Sequence, residues 1–295
     1  MDQPDTARNS DPDLVGAFAN LASGAEETID LARASLAAAT IVDPALDPNP
    51  SLKRLDDLAA AVRLRVGSGE QVGAEAIARG SVELLFEDEG FTGDEDDYYN
   101  PLNACLDAVL ERRRGLPILL SILFIEVAGR AGLTVQGVGA PAHFVVKYAN
   151  QGRDRFLDPF NGGVEIPSAG LRGQVEQSLA GSGVSPDAFL EGVTKRQILG
   201  RVLANLKGCF LRRRDPAGAL RAVDYQLALT PWALDEVRDR GLILYQLERY
   251  DESLQALHSY REHTPASGSA GRIDQVIRRL ERIVDGLPPE AADPA

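Results

Sequence analysis

The chain has 295 residues, of which 44% are hydrophobic, 25% charged and 6% aromatic. This composition excludes collagen-like and wholly disordered classes, and at about 150 residues per domain it implies about two domains. Forty-four acidic against 31 basic residues leave a net charge of −13, a poor surface for nucleic-acid phosphates.

The charge is unevenly placed. Residues 1–190 hold 29 acidic and 15 basic side chains, whereas residues 191–295 hold 15 and 16. The two parts differ in kind, which places a boundary near 190. The two cysteines, Cys105 and Cys209, form no paired motif, so neither a structural zinc site nor a disulfide framework is expected. The acidic start of the chain is unlike a signal peptide. Its longest apolar run, Leu116 to Ala128, is interrupted by Glu126 and is shorter than the roughly 20 residues that span a bilayer. The expectation is a cytoplasmic protein with no membrane or nucleic-acid partner and no cofactor.

Residues 1–12 are polar and are expected to be disordered. Ser23 followed by Glu26 reads as a capping box ahead of a helix to about Ala39. Residues 42–50, with three prolines and two aspartates, read as loop. Leu52, Leu55, Leu58, Val62 and Val66 recur at helical spacing, and another helical stretch covers about 70–87. Residues 81–97 carry eight acidic side chains and no basic one. A calcium loop starting at Asp88 would put Gly93 at the sixth position but Tyr99 at the twelfth, where a bidentate Glu is needed. A solvated acidic loop is the better reading.

Residues 102–114 read as a helix with Leu102, Leu106, Val109 and Leu110 on its apolar face. Arg112, Arg113 and Arg114 sit at its dipole's negative end, and Gly115 is placed as its cap. Pro117 then opens a helix that is apolar nearly all round to Ala128, which marks it as the buried centre of a domain. Beyond Gly132 the period changes: Leu133–Gly139, His143–Tyr148 and Arg155–Asp158 are short strand-like runs. Ala149 to Gly152 is a turn, and Asp158-Pro159-Phe160-Asn161-Gly162-Gly163 a tight loop. Helix is expected from about 171, then a loop through Gly181-Ser182-Gly183 and Ser185-Pro186-Asp187.

From about Gly200 the chain is helical and repeats. Pro231 and Pro265 lie 34 residues apart, each behind a helix–turn–helix pattern. Phe210, Ala219, Leu220 and Val223 hold the key positions of the first unit. Gly241, Leu244, Tyr250, Ser253, Leu254 and Leu257 hold those of the second. This period resembles the tetratricopeptide repeat, and a helix over about 271–286 would cap the stack.

A hairpin centred between Asn150 and Gln151 would set His143 opposite Asp158, about 4.5–5.5 Å apart at Cβ. A His oriented by an Asp is two members of a nucleophile–base–orienter triad. A helix followed by strands bearing His and Asp resembles the transglutaminase-like superfamily. Its catalytic members carry a Cys at the N-terminus of the central helix, soon after a Gly. Here the matching stretch is Arg114-Gly115-Leu116-Pro117-Ile118, and the Cys position falls on or beside Pro117. His143 and Asp158 match the family His and Asp. Tyr98-Tyr99-Asn100-Pro101, Asn103, Arg112 to Pro117, Pro141-Ala142-His143-Phe144 and Asp158 to Gly163 together resemble the bacterial SirB-type proteins.

The resemblance implies an α+β, transglutaminase-like domain with a papain-like core over 13–190, strongest over 97–166. An all-α tetratricopeptide-type domain over 195–290 would follow. It implies a role in protein interaction or regulation, with the nucleophile lost at Pro117, the His143–Asp158 pair retained, and a protein or peptide partner on the repeats. Tyr99, Asn100, Asn103 and Asn161 are candidate binding residues beside that pair. The competing reading is a cysteine-dependent hydrolase or acyl-transferase using Cys105, His143 and Asp158. Ser121, one turn into the central helix, lacks an evident activating partner. A metal held by His143, Asp158 and the acidic loop would have one His among carboxylates, a poor zinc set.

Overall fold

The central helix is the part of the chain that most of the first unit is built around. The structure is a computed structural model, and it describes residues 10–67, 72–140, 143–179, 185–264 and 270–287. Pro141, Ala142, the Gly181-Ser182-Gly183 loop and Pro265 lie outside the described residues. In chain order the helices are α1 (Pro12–Ala22), α2 (Leu31–Ala39), α3 (Pro48–Val66), α4 (Ala74–Val82), α5 (Leu106–Arg112) and α6 (Pro117–Arg130). They continue with α7 (Ser168–Ser178), α8 (Asp187–Leu190), α9 (Lys195–Arg212), α10 (Pro216–Leu229), α11 (Leu234–Gln246), α12 (Tyr250–Glu262) and α13 (Ala270–Val284). The strands are β1 (Thr92–Gly93), β2 (Arg114–Gly115), β3 (Val135–Val138), β4 (Val145–Asn150), β5 (Arg153–Asp158) and β6 (Val164–Ile166). Packing divides the chain into one unit of residues 20–205 and another joining the segment up to Ala19 to the chain from Leu206 onward.

In the 20–205 unit, α6 is buried from Ile118 through Phe124 and again at Val127 and Ala128. A helix apolar on every side has no face to give to water. It packs against α2, α3, α4 and α5 and against β3 and β4. Each fully buried Leu, Ile or Phe contributes about 1.5–3 kcal/mol, so this helix is the main hydrophobic anchor of the unit. The sheet runs β3-β4-β5-β6, antiparallel throughout. Its other core joins Val138, Ala140, Val145 and Phe156 to Leu171 and Val175 of α7.

Several local expectations are corrected. A helix, α1, precedes the expected capping box, and the Ser23 hydroxyl donates back to the Asn20 carbonyl instead of capping a following helix. The next helix starts at Leu31, capped by Asp30, which accepts from the Arg33 N–H. Pro48 is the first residue of α3, capped by Asp47, so the proline-rich stretch is a helix start as well as a loop. The helix expected over 102–114 is broken at Cys105, whose backbone is extended. Its C-terminus is closed by Arg113 in the left-handed region (φ 59°), not by Gly115. Gly115 instead pairs with Gly93 in a short parallel bridge, where a Cβ would meet Val109 at 2.8 Å.

The arginine triplet does more than end a helix. Arg112 and Arg114 reach buried Asp94 at 3.5 and 3.9 Å, and Arg113 reaches Glu89 at 3.1 Å. The acidic run is therefore folded back onto the basic one.

In the second unit, the residues expected to hold the repeat are buried at Phe210, Ala219, Leu220, Val223, Leu244, Ser253 and Leu257. Gly241 lies so close to α12 that a Cβ would stand 2.6 Å from Leu257, and Ser253 donates to the Gly241 carbonyl at 2.7 Å. α13 covers the end of the array through Ile273, Ile277 and Leu280. Phe18 of α1 packs on Tyr225 with ring centroids 5.3 Å apart. Among the described residues, no helix is long and apolar enough to cross a membrane.

Candidate functional site

The β4–β5 hairpin turns at Gln151 and Gly152, both with positive φ (50° and 75°). That is the geometry of a two-residue hairpin loop whose twist suits the strands. It pairs Asn150 with Arg153 and Val146 with Leu157, a register displaced by two from the one expected. His143 is therefore not directly opposite Asp158, as the expected register required. It precedes β4 and lies on the diagonal, and because the displacement is two and not one, it keeps the same face. His143 Nε2 is 2.7 Å from Asp158 Oδ2.

Asp158 ends β5 and caps the short 3₁₀ turn Pro159–Asn161. Oδ1 accepts from the N–H groups of Phe160 and Asn161 at 3.1 and 3.3 Å. Oδ2 accepts from the Asn161 side-chain amide at 2.7 Å as well as from His143. Burial works against the charged carboxylate, but the hydrogen bonds from His143 and Asn161 and the imidazolium charge outweigh it and hold its pKa below the usual value. The same Asp158 hydrogen bond raises the pKa of His143, against the opposing effect of burial. With Nε2 committed to Asp158, Nδ1 has no hydrogen-bond partner among the described residues.

Two cavities flank His143. One, of about 260 Å³, is bordered by Tyr98, by Pro117 and Ile118 at the start of α6, and by Phe144 and Arg201. The other, of about 360 Å³, adjoins Asp158, Asn161 and Gln174. Pro117, on or beside which the resemblance puts the nucleophile position, shares a cavity with His143. Cys105 lines neither cavity. It is 1% exposed, and its thiol donates to the Pro101 carbonyl at 3.4 Å. Ser121 is fully buried and directs its hydroxyl to the Phe144 carbonyl at 3.5 Å.

The other expected binding residues divide. Asn161 borders the second cavity and orients Asp158. Tyr99 is exposed and packs edge-on against Tyr98, with centroids 5.2 Å apart. Asn100 caps the turn Pro101–Ala104 by accepting from the Leu102 N–H. Asn103 is fully buried, and its amide is spent on the Asp97 carbonyl (2.8 Å) and on Arg112 (2.8 Å); it holds the loop together and lines neither cavity. Tyr98 and Arg201 were not among the expected site residues. Tyr98 stood inside the quoted Tyr98-Tyr99-Asn100-Pro101 motif. Arg201, Ala204 and Asn205 share one face of α9 by their spacing, a signal hidden by assigning everything from Gly200 onward to the repeats.

Comparison with known proteins identifies both parts of the chain. A family model described as the transglutaminase-like superfamily matches residues 50–204, and one for the tetratricopeptide repeat matches residues 206–278. A UPF0162 protein of Xylella fastidiosa is 32% identical over 258 residues, covering 86% of this chain and 91% of that protein. One from Vibrio cholerae is 30% identical over 198 residues, covering 67% and 73% respectively. F-box only protein 21 of Mus musculus is 33% identical over 128 residues, covering 42% of this chain and 20% of that protein. The chain belongs to the transglutaminase-like superfamily, in its SirB-type group of UPF0162 proteins that join this domain to tetratricopeptide repeats.

Proposed function

We propose that this protein is a non-catalytic transglutaminase-like module, in which the cleft at His143 and Asp158 binds a ligand and the repeats engage a protein or peptide in a regulatory role. The observation that carries this reading is Pro117 on the wall of the cavity that also contains His143. Nucleophilic catalysis needs an activated nucleophile within hydrogen-bond reach of its base. Proline offers no such group, and its ring lacks even a backbone N–H. Cys105, buried among apolar neighbours, has the setting of an inert packing thiol. The retained pair then serves as a fixed polar wall: a buried carboxylate with four donors, holding an imidazole whose other nitrogen has no partner among the described residues. The repeats support the second half of the reading, because stacked helical repeats present a surface suited to peptides.

The test is turnover. Transamidation of glutamine-containing protein by a fluorescent amine, and hydrolysis of peptide and thioester probes, are expected to be absent from the wild type. Pro117→Cys is expected to introduce a thiol that ionises below the ordinary value of about 8.5, visible as thiolate absorbance that moves back up in Pro117→Cys/His143→Ala. Wild-type turnover that disappears in His143→Ala overturns the reading.

A further inference from the structure

We propose that the cavity between His143 and Arg201 binds a carboxylate carried on a small apolar group, held by the Arg201 guanidinium. This deepens the reading of the cleft as a binding site, on which it rests.

The argument begins with what Arg201 lacks. Elsewhere in the same unit, Arg54, Arg112, Arg113, Arg130, Arg155 and Arg172 each reach a carboxylate. Arg201 is half-buried, and among the described residues it has no carboxylate partner. Among the described residues its one hydrogen bond goes from Nη2 to the Gly139 carbonyl at 2.9 Å, and its Cζ lies 5.6 Å from the centre of the Phe144 ring. Burial alone acts on its pKa, and lowers it. A desolvated charge without a counter-ion is costly, and an anion that enters removes that cost.

The guanidinium also has a fitted place. A Cβ on Gly139 would stand 2.6 Å from Nη2 and 2.7 Å from Cζ, so in this position the guanidinium packs directly on the glycine backbone. The carbonyl beneath and the ring beside it fix the plane of the fork. Among the described residues one of its five N–H donors is used, which leaves the others for the two-pronged contact that a carboxylate makes best.

The rest of the cavity suits the same ligand. No acidic residue lines it, although this unit carries most of the protein's acidic excess. The negative charge of Asp158 is already taken up by His143, by Asn161 and by two backbone N–H groups. When His143 is protonated, the form that Asp158 favours, the pair adds no net charge, and the Arg201 guanidinium supplies one positive charge. Asn205, one turn along α9, adds an amide. Pro117, Ile118 and Phe144 form an apolar wall for the stem that bears the carboxylate. A volume of about 260 Å³ lies just below the roughly 300 Å³ at which drug-sized ligand sites begin and suits one residue-sized group.

The test uses the full chain and titration calorimetry. The probes are N-acetyl-L-leucine, N-acetyl-L-leucinamide and an N-acetylated pentapeptide ending in a free leucine carboxylate. The acid is expected to bind at least about 10-fold more tightly than the amide, the scale of a charge-assisted contact. Arg201→Gln is expected to abolish that preference and Arg201→Lys to retain part of it. Pentapeptide binding tighter than the acid identifies a peptide C-terminus as the source; equal binding identifies a free acid. Equal affinity for acid and amide, or no heat from either at about 10 mM, overturns the proposal. If Arg201→Gln does not fold, the acid–amide contrast in the wild type decides alone. Cleavage of the pentapeptide would defeat the non-catalytic reading while leaving the carboxylate preference standing, so the two failures are distinct.

Discussion

His143 and Asp158 meet across a diagonal of the β4–β5 hairpin, with Nε2 2.7 Å from Oδ2 although the register continues to Val145 as the residue facing Asp158. The contact survives because Asp158 is fixed independently of the ladder, by the N–H groups of Phe160 and Asn161 and by the Asn161 amide. The carboxylate is a preset acceptor, and the imidazole reaches it from just ahead of β4.

The pair therefore stabilises the fold over a defined pH window. The His143 pKa is raised above its ordinary 6.5. Its contribution is complete below 6.5 and is lost as pH rises through the raised value. The Asp158 pKa is lowered below its ordinary 3.8. Its contribution is complete above 3.8 and is lost as pH falls through the lowered value. Both contributions are whole between those two ordinary values. The ring protons of His143 in two-dimensional NMR are expected to titrate above 6.5 in the wild type, and at a lower pH in Asp158→Asn. The same substitution is expected to cost about 1–3 kcal/mol by denaturant unfolding at pH 5.5. An unmoved His143 titration would refute the coupling.

Cys105 is expected to behave as core. Iodoacetamide should label it only at the rate of unfolding, with the rate rising as denaturant is added and unchanged in His143→Ala. Cys105→Ala should lower stability by about 1 kcal/mol, the scale of a small buried group removed. Fast labelling near pH 6 that slows in His143→Ala would mean a thiolate–imidazole pair and would restore the cysteine-dependent enzyme.

Asn103 is expected to matter more to stability than to binding. Its amide joins the Asp97 carbonyl to Arg112, and Arg112 in turn faces buried Asp94. Asn103 also contributes to lowering the Asp94 pKa, which burial opposes. Asn103→Ala takes a donor from the Asp97 carbonyl, which keeps the Asn100 N–H, and an acceptor from the Arg112 guanidinium, at a cost of about 1–3 kcal/mol. Thermal unfolding reads that loss. Affinity for any ligand of the His143 cleft should change by less than about threefold, because Asn103 lines neither cavity, and this is within the usual scatter of remote substitutions.

The buried helix, the strand periodicity and the His–Asp pair were legible because each rests on a pattern that survives small errors. α6 is apolar all round, so a one-residue misplacement of its ends changes nothing. The pair tolerated a register displaced by two because strand faces repeat every two residues. What failed were features decided by one backbone angle or one distant partner. Cys105 breaks a helix that its neighbours would continue, and Arg113 takes a left-handed conformation for which Gly115 was the natural candidate. Arg201 was missed for a larger reason: helical periodicity is the same on both sides of Asn205, so the sequence pattern carries no mark of where one unit ends. Its slot at Gly139 is 62 positions away in the chain.

Gly93 offers a way to disturb the site without touching it. A Cβ there would stand 2.4 Å from Cε2 and 2.5 Å from Cζ of Phe160, and the neighbouring strand pairs Gly93 with Gly115, so the backbone has little freedom to retreat. Phe160 must move instead, and its N–H is one of the donors that fix Asp158. Gly93→Ala is expected to cost about 1–3 kcal/mol by overpacking. It should also move the His143 titration down toward its ordinary value, because the carboxylate that raises it loses its fixed position. Gly173→Ala is the control: it lies inside α7 with nothing within 4 Å of the added atom, and replacing a mid-helix glycine should stabilise by about 0.5–1 kcal/mol with no change at His143. If Gly93→Ala lowers stability and leaves the His143 titration where it is, the Phe160 turn does not position Asp158, and the hairpin alone must hold the pair.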